Sequence, residues 1–392
     1  MPIVDMKQML QHAHQHGYAV GGFDVVSLDF VEGVIRAAER CEGPIILSLA
    51  ESHFDHYDFE LLMAAVEASA RRSPMPVAIH LDHGESEAMA IKAINLGCNG
   101  VMVDASKYPL EENIAHTRAI TTMAHGCGVA VEGELGYVPG VEGEDAERHP
   151  GEVQYTSVED AQRYVQETGV DCLAVSIGTV HGRMQGEPKL DLKRLGQINQ
   201  SLQIPLVIHG GTGLGEDQYR ALIANGVAKI NYYTALADAA AAAIRATDGN
   251  RPGYTALTAG VREAVADETE RMIRLWGGAG RAQALLKHCR RWSALEHTIL
   301  YNTANIPEEG VDEMMAEGQR VLGAIPGVRR VFCGEAVQDK AAYRYSWHIQ
   351  FCHPAVIDSY REHPDHVAFA NSLFRPVAAD RISIDYRERS NQ

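Results

Sequence analysis

Apolar and β-branched residues recur along the first two thirds of the chain in short runs, over 21–26, 44–50, 77–81, 100–104, 129–134, 172–178, 205–209 and 227–231. Between them lie stretches with apolar positions at helical spacing, among them 29–40, 59–72, 85–96, 110–125, 157–168 and 216–225, several opened by Ser, Thr or Asp caps. Strict alternation of strand and helix over about 250 residues predicts a (β/α)8 TIM barrel, whose active site forms where the strands end. That rim collects Asp24, Glu51, Asp82, His83, Asp104, Glu134, His181, His209, Asn231 and Thr234. An alanine-rich helix over 233–247 and a longer helix over 254–275 follow, and the second closes at Gly277-Gly-Ala-Gly280.

Beyond Arg290 the pattern changes. A strand over 296–302, a helix over 308–322, strands over 328–335 and 343–351, a helix over 354–363, a further helix near Ala368 and a strand over 381–386 follow in order. This is a βαββαβ unit, the α+β ferredoxin-like plan. With the boundary placed near Lys287, the barrel takes residues 1–286 and the small domain residues 287–392.

A chain of 392 residues with 46% hydrophobic content buries a large core and suits two domains. The formal net charge of -17 argues against nucleic acid and anionic membranes as partners. The 7 cysteines are scattered, odd in number and form no Cys-x-x-Cys pair, a pattern that suits reduced thiols in a cytosol. No segment has transmembrane length, so the expectation is a soluble, cytoplasmic protein.

Three of the strands end on histidine: Val77-Ala-Ile-His-Leu-Asp-His-Gly84, Ser176-Ile-Gly-Thr-Val-His-Gly182 and Pro205-Leu-Val-Ile-His-Gly-Gly-Thr-Gly213. A histidine at one strand end is usually an ordinary core or surface residue. Three at one barrel rim, His83, His181 and His209, make a catalytic zinc site with an open position. Such an ion acts as a Lewis acid on a ketone oxygen and stabilises an enediolate, and Asp82 gives or takes a proton in the same cavity. Gly210-Gly-Thr-Gly213, followed by Asn231-Tyr-Tyr-Thr234, occupies the loops after strands seven and eight, where barrels bind phosphate through backbone amides. The acidic loop 136–150 carries Glu142 and Glu144 and reads equally as a mobile lid delivering a base or as a solvated surface excursion.

These residues resemble the class II, zinc-dependent ketose-bisphosphate aldolases, which include fructose- and tagatose-bisphosphate aldolases. The resemblance runs from about Met6 to Ala282. It is carried by His80-Leu-Asp-His-Gly84, Val101-Met-Val-Asp-Ala-Ser106, Glu132-Gly-Glu-Leu-Gly136, Gly178-Thr-Val-His-Gly182, His209-Gly-Gly-Thr-Gly213, Lys229-Ile-Asn231 and Leu275-Trp-Gly-Gly-Ala-Gly280. It implies that His83, His181 and His209 bind Zn2+, and that Asp82 moves the proton on the aldehyde oxygen. Glu142 matches a lid glutamate that moves a proton at the donor carbon. Asp104 and Glu134 match an alternative metal position or residues behind the ligands. Gly182, Gly211, Thr212, Asn231 and Thr234 match a pocket for the donor phosphate, with a monovalent cation, Na+ or K+, nearby.

Departures from the family pattern bear on substrate. His181-Gly-Arg-Met-Gln-Gly186 places Gln185 where the family has a lysine near phosphate, unless Arg183 substitutes for it. Phe23-Asp24 stands for Phe-Asn, Glu51-Ser-His53 replaces small residues, Lys107 stands for histidine, and Tyr232-Tyr233 replaces two smaller residues. Added negative charge at the rim disfavours a doubly phosphorylated ketose. The expectation is an aldolase whose specificity is shifted from fructose or tagatose 1,6-bisphosphate toward an acceptor bearing hydroxyl or amine groups.

Through Ile325-Pro-Gly-Val328 and Tyr360-Arg-Glu-His-Pro-Asp-His-Val367, the C-terminal part resembles the stress-responsive dimeric α/β-barrel (Dabb) domain. The resemblance implies pairing of sheets between two chains, hence a homo-oligomer, dimer or tetramer. Some relatives are cyclases or monooxygenases, for which His348, His363 or His366 would serve, but assembly is the expected role. His12, His14 and His16 suggest a metal tract, yet only His12 and His16 share a helix face, and an exposed histidine face is expected. Lys229 reads from its position as a Schiff-base lysine of a metal-free aldolase; the resemblance makes it a pocket or structural lysine instead. Two functions stand: a zinc-dependent aldolase giving dihydroxyacetone phosphate and an aldehyde, or a non-catalytic sugar-phosphate-binding or regulatory protein on an aldolase scaffold.

Overall fold

A computed structural model describes residues 3–138, 154–182, 189–247 and 253–388. Two compact units divide the chain: residues 1–90, 98–121 and 130–291 form one, and residues 91–97, 122–129 and 292–392 the other.

The first unit holds a closed barrel of eight strands, β1 (Val20–Asp24), β2 (Ile45–Ala50), β3 (Val77–Gly84), β4 (Gly100–Val103), β5 (Ala130–Leu135), β6 (Cys172–Val175), β7 (Leu206–Ile208) and β8 (Val227–Tyr232). All neighbours are parallel, and β8 closes on β1 with Asn231 opposite Gly22. The runs of β-branched and apolar residues form these strands because both faces are covered, by helices outside and by the barrel's own side chains within.

The N-terminal mouth of the barrel is plugged. Helix α1 (Met6–His16) is capped by Asp5, whose side chain accepts from the Gln8 amide, and ends at Gly17 in the left-handed region with φ of 64°. Its Met6, Met9, Leu10 and Ala13 pack on Val20, Ile46, Ala78, Ala130, Cys172, Val207 and Ala228 at the strand starts. Small residues there leave room for the methionines; a Cβ on Gly100 would lie 2.1 Å from Met6 Sδ. Each fully buried side chain of this size contributes roughly 1.5–3 kcal/mol. Asn99, fully buried, stitches the plug to β3: its amide oxygen accepts from Ile79 N–H at 2.8 Å, and its nitrogen donates to the Val4 carbonyl at 2.6 Å.

Three sequence expectations change here. The helix expected over 254–275 is two helices, Tyr254–Thr258 and Val261–Leu275, separated where Gly260 lowers helical propensity. Helix Leu192–Leu202 adds to the helices named from the sequence. His12 and His16 share a face, with rings stacked at 3.9 Å, but His12 is buried rather than exposed, because Tyr18 covers it and bonds its Nδ1 at 2.9 Å.

The second unit contains β9 (Leu295–Thr303), β10 (Val328–Glu335), β11 (Tyr345–Phe351) and β12 (Ala378–Arg387) in an antiparallel sheet of order β10-β11-β9-β12. With helices Glu308–Gly323 and Val356–Glu362 in sequence between strands, this is the ferredoxin-like plan. Trp347, Ile349 and Phe351 of β11 are buried on one face, where Trp347 meets Phe369. The other face carries the row Phe332, His348, Thr298 and Ile384. Among the described residues of the whole chain, no helix is long and apolar enough to cross a membrane.

Candidate active site

Alternation along a barrel strand turns residues i and i+2 inward, so the sequence pairs His80/Asp82 on β3, Glu132/Glu134 on β5 and Lys229/Asn231 on β8 fill the barrel interior toward its C-terminal rim. All six are buried. His83 follows Asp82 with φ of 44°, a left-handed backbone that turns the next side chain out of the strand alternation and toward the rim. His209 follows β7, and Gly210 behind it has φ of 66°; a Cβ there would lie 2.1 Å from the Val180 carbonyl oxygen. The two histidine-bearing loops thus approach backbone to backbone because glycine follows His209.

The histidines His83, His181 and His209 converge, each offering one ring nitrogen within 4.8 Å of the others. His209 Nε2 lies 2.8 Å from Glu132 Oε1, and His83 Nδ1 lies 3.3 Å from Asp104 Oδ2. An ionised carboxylate only accepts, so both contacts place the ring proton on the carboxylate side. That leaves His83 Nε2 and His209 Nδ1, which face one another at 2.8 Å, to carry the lone pairs; His209 Nδ1 also lies 3.4 Å from Glu134 Oε2, a longer contact than the one to Glu132. Two such lone pairs repel unless a cation relieves them. A tetrahedral zinc with bonds of about 2.0–2.1 Å sets its ligand nitrogens roughly 3.3 Å apart, so the His83–His209 pair would open by about half an ångström to hold such an ion, with His181 as third ligand and a fourth position open.

Asp104 and Glu134 form a second group with His83 whose ligand atoms also lie within 4.8 Å of one another. Burial, and then the Asp104 charge, push the Glu134 carboxyl up to about 7. Burial would also raise Asp82, but His83 and Lys229 outweigh it and hold the carboxyl below its ordinary range. Both Asp82 oxygens accept from Asn231 Nδ2, at 2.9 and 2.8 Å.

The expected phosphate residues surround the loops after β7 and β8. Gly211 packs so that a Cβ would meet Ile230 Cγ2 at 2.8 Å and the Asn231 carbonyl oxygen at 3.0 Å, and the Tyr219 hydroxyl donates to the Gly211 carbonyl. Thr212 is half-buried, and Thr234 begins helix Thr234–Ala246. Gly182 has φ of 79°. Among the expected specificity residues, Asp24 is fully buried at the end of β1, Glu51 accepts from the Glu85 amide at 2.6 Å, and the His53 ring lies 4.4 Å from Tyr233. Glu142, Arg183 and Gln185 lie outside the described residues. A cavity of about 190 Å³ beside His83 and His181 is lined by Ser52, Glu85, Asp104, Ser106, Lys107 and Tyr137, and Asp24, Glu51 and His53 are not among the described residues at its wall.

Sequence reasoning assigned no role to Glu132 and, through the family resemblance, made Lys229 a pocket or structural lysine rather than a Schiff base. In the structure Lys229 Nζ is fully buried, 2.7 Å from Glu132 Oε2 and 2.6 Å from Asn231 Oδ1. Burial alone would lower the ammonium, but Glu132 and Asp82 outweigh it and raise it above its ordinary value. A charged amine held by a carboxylate and an amide oxygen is a poor nucleophile, which counts against a Schiff base. The signal that exposes both residues is the i, i+2 spacing from Glu134 and Asn231.

A parallel barrel with a histidine-rich candidate metal centre at its C-terminal rim defines a class of metal-assisted barrel enzymes. Residues 4–281 match the sequence family described as Fructose-bisphosphate aldolase class-II, and residues 295–388 match the Stress responsive A/B Barrel Domain. A "Probable fructose-bisphosphate aldolase" of Bacillus subtilis (strain 168) is 38% identical over 288 residues, 72% of this chain and 100% of that protein. A "Fructose-bisphosphate aldolase" of Staphylococcus aureus (strain Mu50) is 37% identical over 289 residues, with the same coverage of each chain. Among solved structures, the YdjI aldolase from Escherichia coli K12 superposes with a TM-score of 0.65 at 31% identity, over 71% of this chain and 99% of that one. The chain belongs to the class II fructose-bisphosphate aldolase family. It is an aldolase, a carbon–carbon lyase of a generally zinc-dependent family, followed by a Dabb domain.

Proposed function

We propose that this aldolase uses zinc to cleave, reversibly, a ketose phosphate or related polyol phosphate into dihydroxyacetone phosphate and an aldehyde. The observation that carries the reading is the facing pair His83 Nε2 and His209 Nδ1, with His181 in reach and Asp82 next in sequence. Zinc held by these three imidazoles supplies a Lewis acid for the ketose carbonyl oxygen. Asp82, held by Asn231, takes the proton of the acceptor hydroxyl in cleavage and returns it in condensation. Glu142 moves the proton at the donor carbon. Asp104 and Glu134 orient the ligands or offer the alternative metal position. Gly182, Gly211, Thr212, Asn231 and Thr234 hold the donor phosphate, with backbone N–H groups at the start of helix Thr234–Ala246 and a monovalent cation beside it.

The relatives' names point to fructose bisphosphate. In this chain Asp24, Glu51 and His53, together with Arg183 and Gln185, are proposed to shift the acceptor toward an aldehyde with hydroxyl or amine groups and no second phosphate. Condensation of dihydroxyacetone phosphate with a panel of aldehydes, with and without a terminal phosphate, tests this. Faster turnover with unphosphorylated acceptors is expected, and full efficiency on glyceraldehyde 3-phosphate contradicts it.

We place the protein in the cytoplasm, a setting supported by its acidic charge and by 7 scattered cysteines that form no Cys-x-x-Cys pair. Assembly into a homo-oligomer is proposed through the second unit, whose open sheet face exposes Phe332, Ile382, Ile384 and Tyr386. The domain boundary near residue 287 belongs to the same reading.

A further inference from the structure

The amide of an asparagine places two donors on one side and an acceptor on the other, and its orientation follows from its neighbours. At Asn231 the neighbours leave one choice. A lysine ammonium only donates, so the atom 2.6 Å from Lys229 Nζ is the carbonyl oxygen; a carboxylate only accepts, so the atom 2.8–2.9 Å from Asp82 is the nitrogen. With both Asp82 oxygens bound to one Asn231 nitrogen, the plane of the catalytic carboxylate follows the plane of the amide. The amide in turn is fixed by the ammonium.

The same ammonium has a second partner. Glu132 Oε2 lies 2.7 Å from Lys229 Nζ, and its other oxygen lies 2.8 Å from His209 Nε2. Lys229, Asn231, Asp82, Glu132 and His209 have almost no contact with solvent. The room for this arrangement comes from the neighbouring strand β1: a Cβ on Gly22 would lie 3.1 Å from both Asn231 Oδ1 and Lys229 Cε, and 3.2 Å from Ser48 Oγ. Glycine at 22 is therefore part of the device. A buried charge of this kind is costly unless paired, and here each pairing has a direction that matters for the site.

We propose that Lys229 is a positioning residue for the aldol step, acting through Asn231 on Asp82, and that this is its role rather than nucleophilic attack. The proposal rests on the aldolase reading above. Lys229 orients the group that handles the acceptor proton and leaves the donor-side proton transfer alone. A displacement on the order of 1 Å in such a group lowers turnover about 100-fold.

The test is a cycle of zinc-loaded variants, wild type, Lys229→Met, Asp82→Ala and the double, followed by two readouts. One is carbon–carbon bond turnover; the other is exchange of the dihydroxyacetone phosphate α-proton with heavy water, and zinc per chain is measured for each. Lys229→Met is expected to lower bond turnover about 100-fold and to lower exchange, corrected for bound zinc, at least about 10-fold less than that. In the Asp82→Ala background the same substitution should change the residual turnover less than about 3-fold, because the group it positions is gone. Equal losses in both backgrounds, or unchanged turnover in Lys229→Met, overturn the role of Lys229 while leaving the aldolase reading intact. A zinc-loaded wild type with neither exchange nor turnover contradicts that reading and this proposal with it. Should Lys229→Met fail to fold because the Glu132 charge is left buried without its ammonium, Lys229→Met/Glu132→Gln removes both charges, keeps an acceptor for His209, and is subject to the same expectations.

Discussion

His83 Nε2 and His209 Nδ1 face one another at 2.8 Å, while the second nitrogen of each ring is turned to a carboxylate, Asp104 at 3.3 Å and Glu132 at 2.8 Å. The carboxylates fix the tautomers, so the nitrogens that face each other are those that can bind a cation. The imidazoles are oriented before any ion arrives, which lowers the cost of ordering the site.

His209→Ala removes one of the facing nitrogens and takes the imidazole partner from Glu132 Oε1, while Lys229 still holds Oε2. Zinc per chain, measured by elemental analysis after gel filtration, should fall from about one to well under one tenth, and turnover should drop more than about 1,000-fold, as expected when a ligand of a three-histidine site is lost. Wild-type turnover without bound metal would remove the histidines from the mechanism.

Asp82→Ala separates proton handling from metal binding. Zinc should stay stoichiometric while bond turnover falls about 100- to 10,000-fold, the range for a positioned general acid–base. Unchanged turnover would mean that the buried carboxylate has only a structural function.

How much of this was legible beforehand depends on what each pattern encodes. Strand and helix alternation exposed the barrel, because a buried parallel strand needs an apolar run and a helix needs its stripe; those constraints are local. Histidines at strand ends exposed the candidate ligands for the same reason, since strand direction alone brings them to one rim. Glu132 and Lys229 were less visible because their importance is a contact between β5 and β8, distant in sequence, although their spacing from Glu134 and Asn231 marks them as inward-facing. His12 was misread as exposed, since nothing local says that α1 plugs the barrel and that Tyr18 folds over its histidine. The break at Gly260 shows the opposite case, in which one glycine inside a helical pattern has its ordinary effect.

The buried His12 has a consequence for acid stability. Burial first, then the positive charges of His16, His288 and Arg281, lower it from 6.5 to about 4. Between those values the unfolded chain binds a proton that the native protein does not. Its contribution to stability is therefore complete above about pH 6.5 and is lost progressively as the pH falls toward 4. His12→Gln keeps a partner for the Tyr18 hydroxyl and cannot titrate. The variant should lose less of its urea midpoint than wild type between pH 7 and pH 5; equal losses would show that His12 is not the group responsible.

Asn99 offers a stability test remote from the chemistry. Asn99→Ala leaves the buried Ile79 N–H and Val4 carbonyl without their partner and should destabilise the protein by about 2–4 kcal/mol, read from urea unfolding. A change below about 0.5 kcal/mol would mean that the plug is held by its apolar contacts alone.

The most direct test of the zinc-dependent aldolase account is proton NMR of dihydroxyacetone phosphate with zinc-loaded protein in heavy water, beside an EDTA-treated control, since loss of the donor proton requires no acceptor. The account predicts zinc-dependent disappearance of the α-proton signal, abolished by EDTA and restored by added zinc. Persistence of that signal with zinc demonstrably bound, or exchange at the same rate in the treated control, would contradict it.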